Sequence, residues 1–254
     1  MNLKEYRYKV NCLKKACSHL DIVEQNEQLL ELCRSVYDEC VKTMKDWELE
    51  EMLLDYQQCL LATGVSCEID EVLNLRVEVC RRLAARSFRK YGKKWGNSLY
   101  SRGFNNSRRR ASLKDFNAAI AIYERLQSMG VNAKMELAAC CRHAAMVSDL
   151  RGLHTKTIRY HNKQLAIQLA LENPNTDVLF DIGCAYKTEG EAYLKLGRYE
   201  ESVEYFSKAR EVFVNIGKRV DDWFDCFFLS GVHMDAIDSF LDEIKSKHGV
   251  CPEA

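Results

Sequence analysis

The stretch GCAYKTEGEAYLKLGRYEESVEYFSKAREVFVNI, residues 183–216, decides the fold. In its first half Gly190 precedes Tyr193 by three residues, and in its second half Phe206 follows a break at Gly197. Single glycines between periodic segments are typical of turns. The stretch therefore predicts two antiparallel helices joined at Gly197. Gly190 allows them to cross closely, and Tyr193 and Phe206 fill the seam between them.

The same spacing returns further along the chain. Gly231 stands 34 residues after Gly197, and Phe240 stands 34 residues after Phe206. The pattern resembles the signature of the tetratricopeptide repeat (TPR) family, a helix–turn–helix unit with a period of about 34 residues. One departure is Glu189, which stands where that signature has a leucine. The resemblance implies stacked helix pairs, with the first helix of each pair lining a concave groove.

Two weaker units precede the clear one. Gly152 and His161 keep the spacing of the clear unit, so we expect a helix pair that begins near Ala138. The segment LKDFNAAIAIYERL, residues 113–126, resembles the turn and second helix of a pair that begins near Tyr100.

Apolar periodicity also continues through the first 99 residues. It predicts four helical segments, which are Leu3–Leu20, Val23–Met44, Trp47–Ala62 and Ile69–Tyr91. These segments form either two further antiparallel pairs or a separate helical cap, and the pattern does not choose between the two.

We therefore predict an all-α protein, a TPR-like solenoid in which antiparallel helix pairs form a right-handed α-α superhelix. Its predicted domains are an N-terminal helical segment over residues 1–99 and TPR-like repeats over residues 100–250. The chain has 2 prolines and 12 glycines in 254 residues, which is too few for the turn-rich architecture of a β-sandwich or barrel.

Composition excludes several classes of protein. The 37 basic residues balance 37 acidic residues, which argues against a generally basic nucleic-acid binder. The N-terminus lacks an apolar core of signal-peptide length, so we expect the 12 cysteines to be reduced thiols in the cytosol or nucleus. No stretch approaches the 18 consecutive apolar residues of a membrane span, so no membrane association is predicted.

The neutral total conceals two oppositely charged segments. Residues 21–71 hold 14 acidic against 3 basic residues, whereas residues 76–114 hold 13 basic residues against Glu78 alone. The basic segment could pair with the acidic N-terminal helices or form a solvated face, bind an acidic protein, or bind nucleic acid through phosphates and stacked aromatics. Its RRRAS string also places Ser112 in a possible site for a basic-directed kinase.

No catalytic motif is present. The chain lacks a nucleophile elbow, a phosphate-binding loop, a dinucleotide fingerprint and a zinc-protease helix motif. Cys140, Cys141 and His143 lie within one helical turn, but two ligands on one face do not make a metal site. We therefore predict no enzyme activity, no cofactor and no metal.

In a TPR-like array, the register assigns residues of each first helix to the concave groove. The predicted partner-binding residues are Phe104, Arg108, Arg142, Met146, Asp149, Lys187, Glu191, Leu194, Asp225 and Phe228. Their charge changes from basic to mixed to acidic along the chain. We therefore expect an extended or helical partner segment of opposite polarity.

The sequence thus predicts a non-enzymatic scaffold or adaptor that binds a protein or peptide partner through this groove. The alternative is a nucleic-acid-associated helical protein that uses the basic segment 76–114. The pattern says nothing about oligomeric state.

Overall fold

A computed structural model describes residues 1–18, 20–65, 67–219 and 231–249 of the chain. These residues form eleven α-helices and no β-strand. The helices are α1 (Leu3–Ala16), α2 (Ile22–Thr43), α3 (Asp46–Thr63), α4 (Ile69–Arg86), α5 (Phe88–Asn105), α6 (Arg109–Ser128), α7 (Lys134–Asp149), α8 (His154–Gln168), α9 (Thr176–Lys195), α10 (Tyr199–Gly217) and α11 (Val232–His248). The predicted all-α fold class is confirmed.

The chain divides into two compact units, Met1–Ala133 and Lys134–Ala254. In the first unit each helix from α2 to α5 packs on the next, so that the series ends at α6, and α1 packs on α2 and α3. In the second unit α7 packs on α8, α8 on α9, α9 on α10 and α10 on α11. The boundary expected after residue 99 lies inside α5, so it would cut a continuous helix.

In the pair α9–α10, Gly190 and Phe206 lie where the two helices cross, as the sequence predicted. A Cβ atom added to Gly190 would lie 2.8 Å from Cδ1 of Phe206, so the ring occupies the space that the missing side chain leaves. The hydroxyl of Ser202 donates a hydrogen bond of 2.8 Å to the carbonyl of Gly190. The two helices are therefore joined at one close crossing by both packing and a hydrogen bond.

The pair α5–α6 repeats this crossing in the first unit. Gly103 faces Phe116, and the hydroxyl of Ser112 donates a hydrogen bond of 2.5 Å to the carbonyl of Gly103. The structural counterpart of Gly190 is thus Gly103, and the pair starts at Phe88 rather than near Tyr100. The sequence register was wrong here because Gly103 lies two residues before the end of α5, whereas Gly190 lies five residues before the end of α9, although both connections are three residues long.

The turns at Gly152 and Gly197 confirm the register of the pair α7–α8. Both glycines have positive φ angles, 68° and 72°, a conformation that favours glycine. The amide after each glycine donates to the carbonyl four residues before that glycine, from Leu153 to Ser148 and from Arg198 to Tyr193. Gly231 differs from them, since it precedes α11 with helical dihedral angles, φ −58° and ψ −54°.

One segment of the N-terminal prediction needs correction. The stretch Ile69–Tyr91 is divided by Ser87, whose extended backbone (φ −155°, ψ 93°) ends α4 and precedes α5. The other three predicted segments correspond to α1, α2 and α3.

Many basic side chains of the segment 76–114 are paired inside the first unit. Arg82 and Arg86 contact the carboxylate of Asp46 at 2.7 and 2.9 Å. Arg76 contacts Glu50 at 3.2 Å, and Lys94 pairs with the same carboxylate. The basic segment therefore neutralises acidic residues of α3, which is the first of the three interpretations that the sequence left open.

Ser112 is 4% exposed and already bonded to the Gly103 carbonyl. A phosphate at this hydroxyl would break that hydrogen bond and would have to separate α6 from α5. The structure therefore disfavours the possible kinase site in the folded chain.

No helix among the described residues is both long enough and apolar enough to cross a membrane.

Candidate partner-binding cleft

A cleft of about 320 Å³ opens between α7 and α9 in the second unit. Five predicted groove residues line it: Arg142, Met146, Asp149, Lys187 and Glu191. The seven other lining residues are His143, Leu150, His161, Asp181, Cys184, Ala185 and Thr188. The first helices of two consecutive pairs thus form its walls, as the register required, and His161 of α8 contributes to the floor.

The charged side chains of the cleft are largely paired with one another. Arg142 contacts Asp181 at 2.8 Å, and Lys187 contacts Glu191 at 3.1 Å across one helical turn. Asp149 contacts Lys195 at 3.3 Å. The walls therefore offer little uncompensated charge to a ligand. The cleft covers only the mixed middle part of the charge gradient that the sequence predicted.

A hydrogen-bonded chain runs beneath the walls. Nδ1 of His161 lies 3.0 Å from Oε1 of Gln164, and Nε2 of Gln164 donates to Oε1 of Gln168 at 2.9 Å. Gln168 donates to the Asp181 carboxylate at 3.5 Å, and Arg142 donates to the other oxygen of that carboxylate. This chain of contacts fixes the orientation of both His161 and Arg142.

The chain also determines the tautomer of His161. Because Nε2 of Gln164 is a donor in the chain, its Oε1 is an acceptor, so Nδ1 of His161 carries the proton. Burial lowers the pKa of His161 to about 4, so the ring is neutral at pH 7. Its Nε2 atom is therefore an acceptor, and it has no hydrogen-bond partner among the described residues.

Two large apolar side chains lie at the edge of the cleft. Met146 is 49% exposed and Leu150 is 52% exposed on the α7 side. An exposed methionine beside fixed polar groups is a contact that adapts to different partner shapes. The cleft therefore combines an apolar rim with a polar floor.

Three other predicted groove residues lie elsewhere among the described residues. Phe104 is 59% exposed on α5, in the first unit. Arg108 was wrongly placed on a first helix, since it precedes α6 with an extended backbone. Leu194 packs against the apolar cluster between α9, α10 and α11 rather than lining the cleft. Asp225 and Phe228 lie outside the described residues.

Sequence reasoning missed Asp181 and His161 for different reasons. The repeat was counted from Gly183, whereas α9 begins at Thr176, so Asp181 was left outside the unit. His161 was recognised only as the counterpart of Phe206, a core position. Its polarity at a position that holds a phenylalanine in the clear unit was the signal that could have identified it.

Neither metal chemistry nor nucleophilic chemistry is indicated by the described part of the cleft. No three side chains of His, Cys, Asp or Glu among the described residues are grouped as metal ligands. His143 is held by the carbonyl of Ala139 at 2.9 Å, and burial raises the pKa of the Cys184 thiol to about 11. That thiol is protonated at pH 7 and is a poor nucleophile.

Consecutive helix pairs with these crossings and turns define a TPR-like helical-repeat fold. Three solved structures are similar to the chain. BtubC (BKLC) from P. vanneervenii matches with a TM-score of 0.59 and 13% identity, over 87% of this chain and 92% of BtubC. MamA matches with a TM-score of 0.57 and 18% identity, over 82% of this chain and 94% of MamA. A putative kinesin light chain from Podosopora anserina with nearly identical TPR-like repeats matches with a TM-score of 0.57 and 15% identity, over 84% and 97%.

These likenesses establish the fold of the chain alone, because their identities are all below 25%. No protein-family model matches the sequence, and no curated protein matches it significantly.

Proposed function

We propose that the protein is a non-enzymatic scaffold that binds a segment of a partner protein in the cleft between α7 and α9. The observation that carries the proposal is the convergence of the predicted groove residues of two helix pairs on one cleft, with Met146 exposed at its rim. Fold alone does not define function, so the proposal rests on this site.

The solved structures of similar fold support the same class of function. The putative kinesin light chain carries TPR-like repeats, and the TPR resemblance associates such repeats with partner binding. The cleft volume of about 320 Å³ lies at the lower end of ligand cavities, so it accommodates one or two side chains of a partner rather than a whole helix.

The nucleic-acid alternative has no comparable support. The basic residues that suggested it are in several cases paired with Asp46, Glu50 and Asp115 inside the first unit. A phosphate would have to compete with these carboxylates.

The test is affinity capture with the full chain, comparing the wild type with Met146→Arg. The bulky charged side chain is expected to obstruct the cleft and reduce recovery of cleft-dependent partners at least tenfold, because the rim would lose an apolar contact and acquire an unpaired charge.

Met135→Arg is the matched control. Met135 lies on the same helix with a similar exposed fraction, 45%, but it does not line the cleft. Recovery of the same partners by wild type and by Met146→Arg would contradict the proposal. A loss shared equally by both variants would contradict it as well, because the effect would not belong to the cleft.

A further inference from the structure

The floor of the cleft holds an acceptor that the fold does not use. His161 is 5% exposed, it lines the cleft, and its Nε2 lone pair has no partner among the described residues. A buried acceptor without a partner costs about 1–3 kcal/mol of stability, so the folded chain gains if a ligand satisfies it.

Packing alone does not explain a histidine at this position. The turn at Gly152 matches the turn at Gly197, and His161 follows the first as Phe206 follows the second. Phe206 fills its site as a fully buried ring, and Phe116 does the same in α6. A phenylalanine would therefore satisfy the helix crossing, whereas the histidine adds two nitrogen atoms that need partners.

The second unused group is a donor. Nε of Arg142 is buried and has no hydrogen-bond partner among the described residues, while Nη1 of the same side chain is held by Asp181. His161 and Arg142 belong to the same chain of hydrogen bonds through Gln164, Gln168 and Asp181. The unused acceptor and the unused donor thus belong to two side chains that line the cleft and that these hydrogen bonds hold in place. Both atoms are buried in the free chain, so a ligand must enter between the walls to reach them.

The charges around the cleft restrict what can satisfy both atoms. A carboxylate would accept from Nε of Arg142, but it would face the lone pair of His161 and leave that acceptor unsatisfied. An ammonium group would be repelled by Arg142 and Lys187 and would leave Nε of Arg142 without an acceptor. An apolar side chain would leave both atoms unsatisfied.

We propose that the cleft selects a glutamine or asparagine side chain of the partner segment. Its NH₂ group donates to Nε2 of His161, its carbonyl oxygen accepts from Nε of Arg142, and its methylene groups contact Met146. A primary amide carries a donor and an acceptor on separate atoms and has no charge, which matches the two unused groups and the paired charges of the walls. This inference rests on the proposed function and specifies the partner chemistry.

The test begins with selection of random dodecapeptides displayed on phage against the full chain. Peptides that Met146→Arg no longer binds are assigned to the cleft, and their affinities are measured by titration calorimetry. We expect them to share a glutamine or asparagine whose replacement by leucine or glutamate weakens binding at least tenfold.

Variants of the chain test the two protein atoms separately. His161→Phe introduces the residue of the equivalent repeat position, and Arg142→Lys keeps a positive charge near Asp181 but removes the Nε donor. Each is expected to weaken binding of the amide peptide about tenfold and to reduce the preference for amide over leucine. Circular dichroism and thermal unfolding establish that each variant is folded.

A measurement on the wild type avoids dependence on those variants. Long-range ¹⁵N–¹H correlation spectra report the protonation of each imidazole nitrogen. We expect Nε2 of His161 to be unprotonated in the free chain and to shift when the selected peptide is added, as a new hydrogen bond forms. An unchanged Nε2 resonance at saturation would overturn the inference.

The outcomes separate this inference from the function on which it rests. Cleft-dependent peptides that lack a shared amide, or that select a hydroxyl residue instead, would overturn the inference and leave the scaffold function intact. Selected peptides whose binding Met146→Arg does not affect would overturn both.

Discussion

Glu189 of α9 stands where the TPR signature has a leucine, and it is fully buried. No group in hydrogen-bonding geometry satisfies either of its carboxyl oxygens among the described residues. Burial raises the pKa of Glu189 from 4.5 to about 8, and the nearby Tyr205 and Lys208 oppose this rise only in part. The folded chain therefore holds this carboxyl group in its protonated form at neutral pH.

The raised pKa predicts a loss of stability with increasing pH. Between about pH 5 and pH 8 the unfolded state releases the Glu189 proton while the folded state keeps it. The stabilising contribution is complete below the unfolded pKa and disappears as the pH rises through the folded pKa. Glu189→Gln, which stays neutral, is expected to exceed the wild type by about 5 kcal/mol in free energy of unfolding near pH 9 and to match it near pH 4.

Urea denaturation at several pH values measures this difference. Glu200→Gln is the matched control, because Glu200 is an exposed carboxylate on the neighbouring helix α10. The control should follow the wild type at every pH. If Glu189→Gln also follows the wild type up to pH 9, the carboxyl group is not held in its protonated form.

The helix pair α9–α10 depends on the close approach at Gly190 rather than on helix propensity. Alanine is a better helix former than glycine by about 1 kcal/mol, so an isolated helix would gain from the exchange. In the folded pair, the new Cβ would lie 2.8 Å from Phe206, nearer than such atoms pack. The tertiary contact opposes the local preference.

Gly190→Ala is therefore expected to destabilise the chain by about 1–3 kcal/mol, as overpacked cores do. Phe206→Leu removes the obstructing ring, so the double variant should be less unstable than the sum of the two single variants. A double-mutant cycle by chemical denaturation measures that coupling. Additive effects, or a stabilised Gly190→Ala, would show that the two helices do not cross as described.

The helix pairs α5–α6 and α9–α10 cross through the same types of residue, but the sequence pattern located this crossing correctly only in α9–α10. The residues Gly103, Ser112 and Phe116 reproduce the crossing of Gly190, Ser202 and Phe206. The crossing glycine lies three residues nearer the end of α5 than of α9, which shifted the count within α5, so Arg108 was assigned to a first helix although it precedes α6. Helix periodicity does not encode how far a crossing lies from the end of its helix, and contacts across the crossing are needed to correct the count.

The whole chain is electrically neutral, and the first unit brings its acidic and basic segments together. Asp46 binds Arg82 and Arg86, and Glu50 binds Arg76 and Lys94. Charges counted along the sequence suggest two separate surfaces, one acidic and one basic. In the folded unit, α4 packs against α3 and α5, and this packing brings basic side chains of one segment to acidic side chains of the other.

We therefore expect the wild type to bind duplex DNA or RNA no more tightly than about 10⁻⁴ M at physiological salt, the weak end of non-specific binding. Asp46→Asn would release Arg86 and leave Arg82 with its contact to Glu78 at 3.6 Å. The variant should therefore bind nucleic acid more strongly, with a steeper dependence on salt. Fluorescence anisotropy over a salt series measures both quantities. Strong, salt-dependent binding by the wild type would favour the nucleic-acid alternative instead.

Periodicity and spacing were sufficient for most of the helices and for the register of the pairs α7–α8 and α9–α10, because helix formation and the glycine turns at Gly152 and Gly197 depend on residues close together in the chain. They also placed Met146 and Lys187 on walls of one cleft. The pairing of Arg142 with Asp181, and the unused acceptor of His161, followed only from the folded chain. These features depend on side chains brought together from three different helices, and their distances and burial cannot be inferred from the order of residues along one of them.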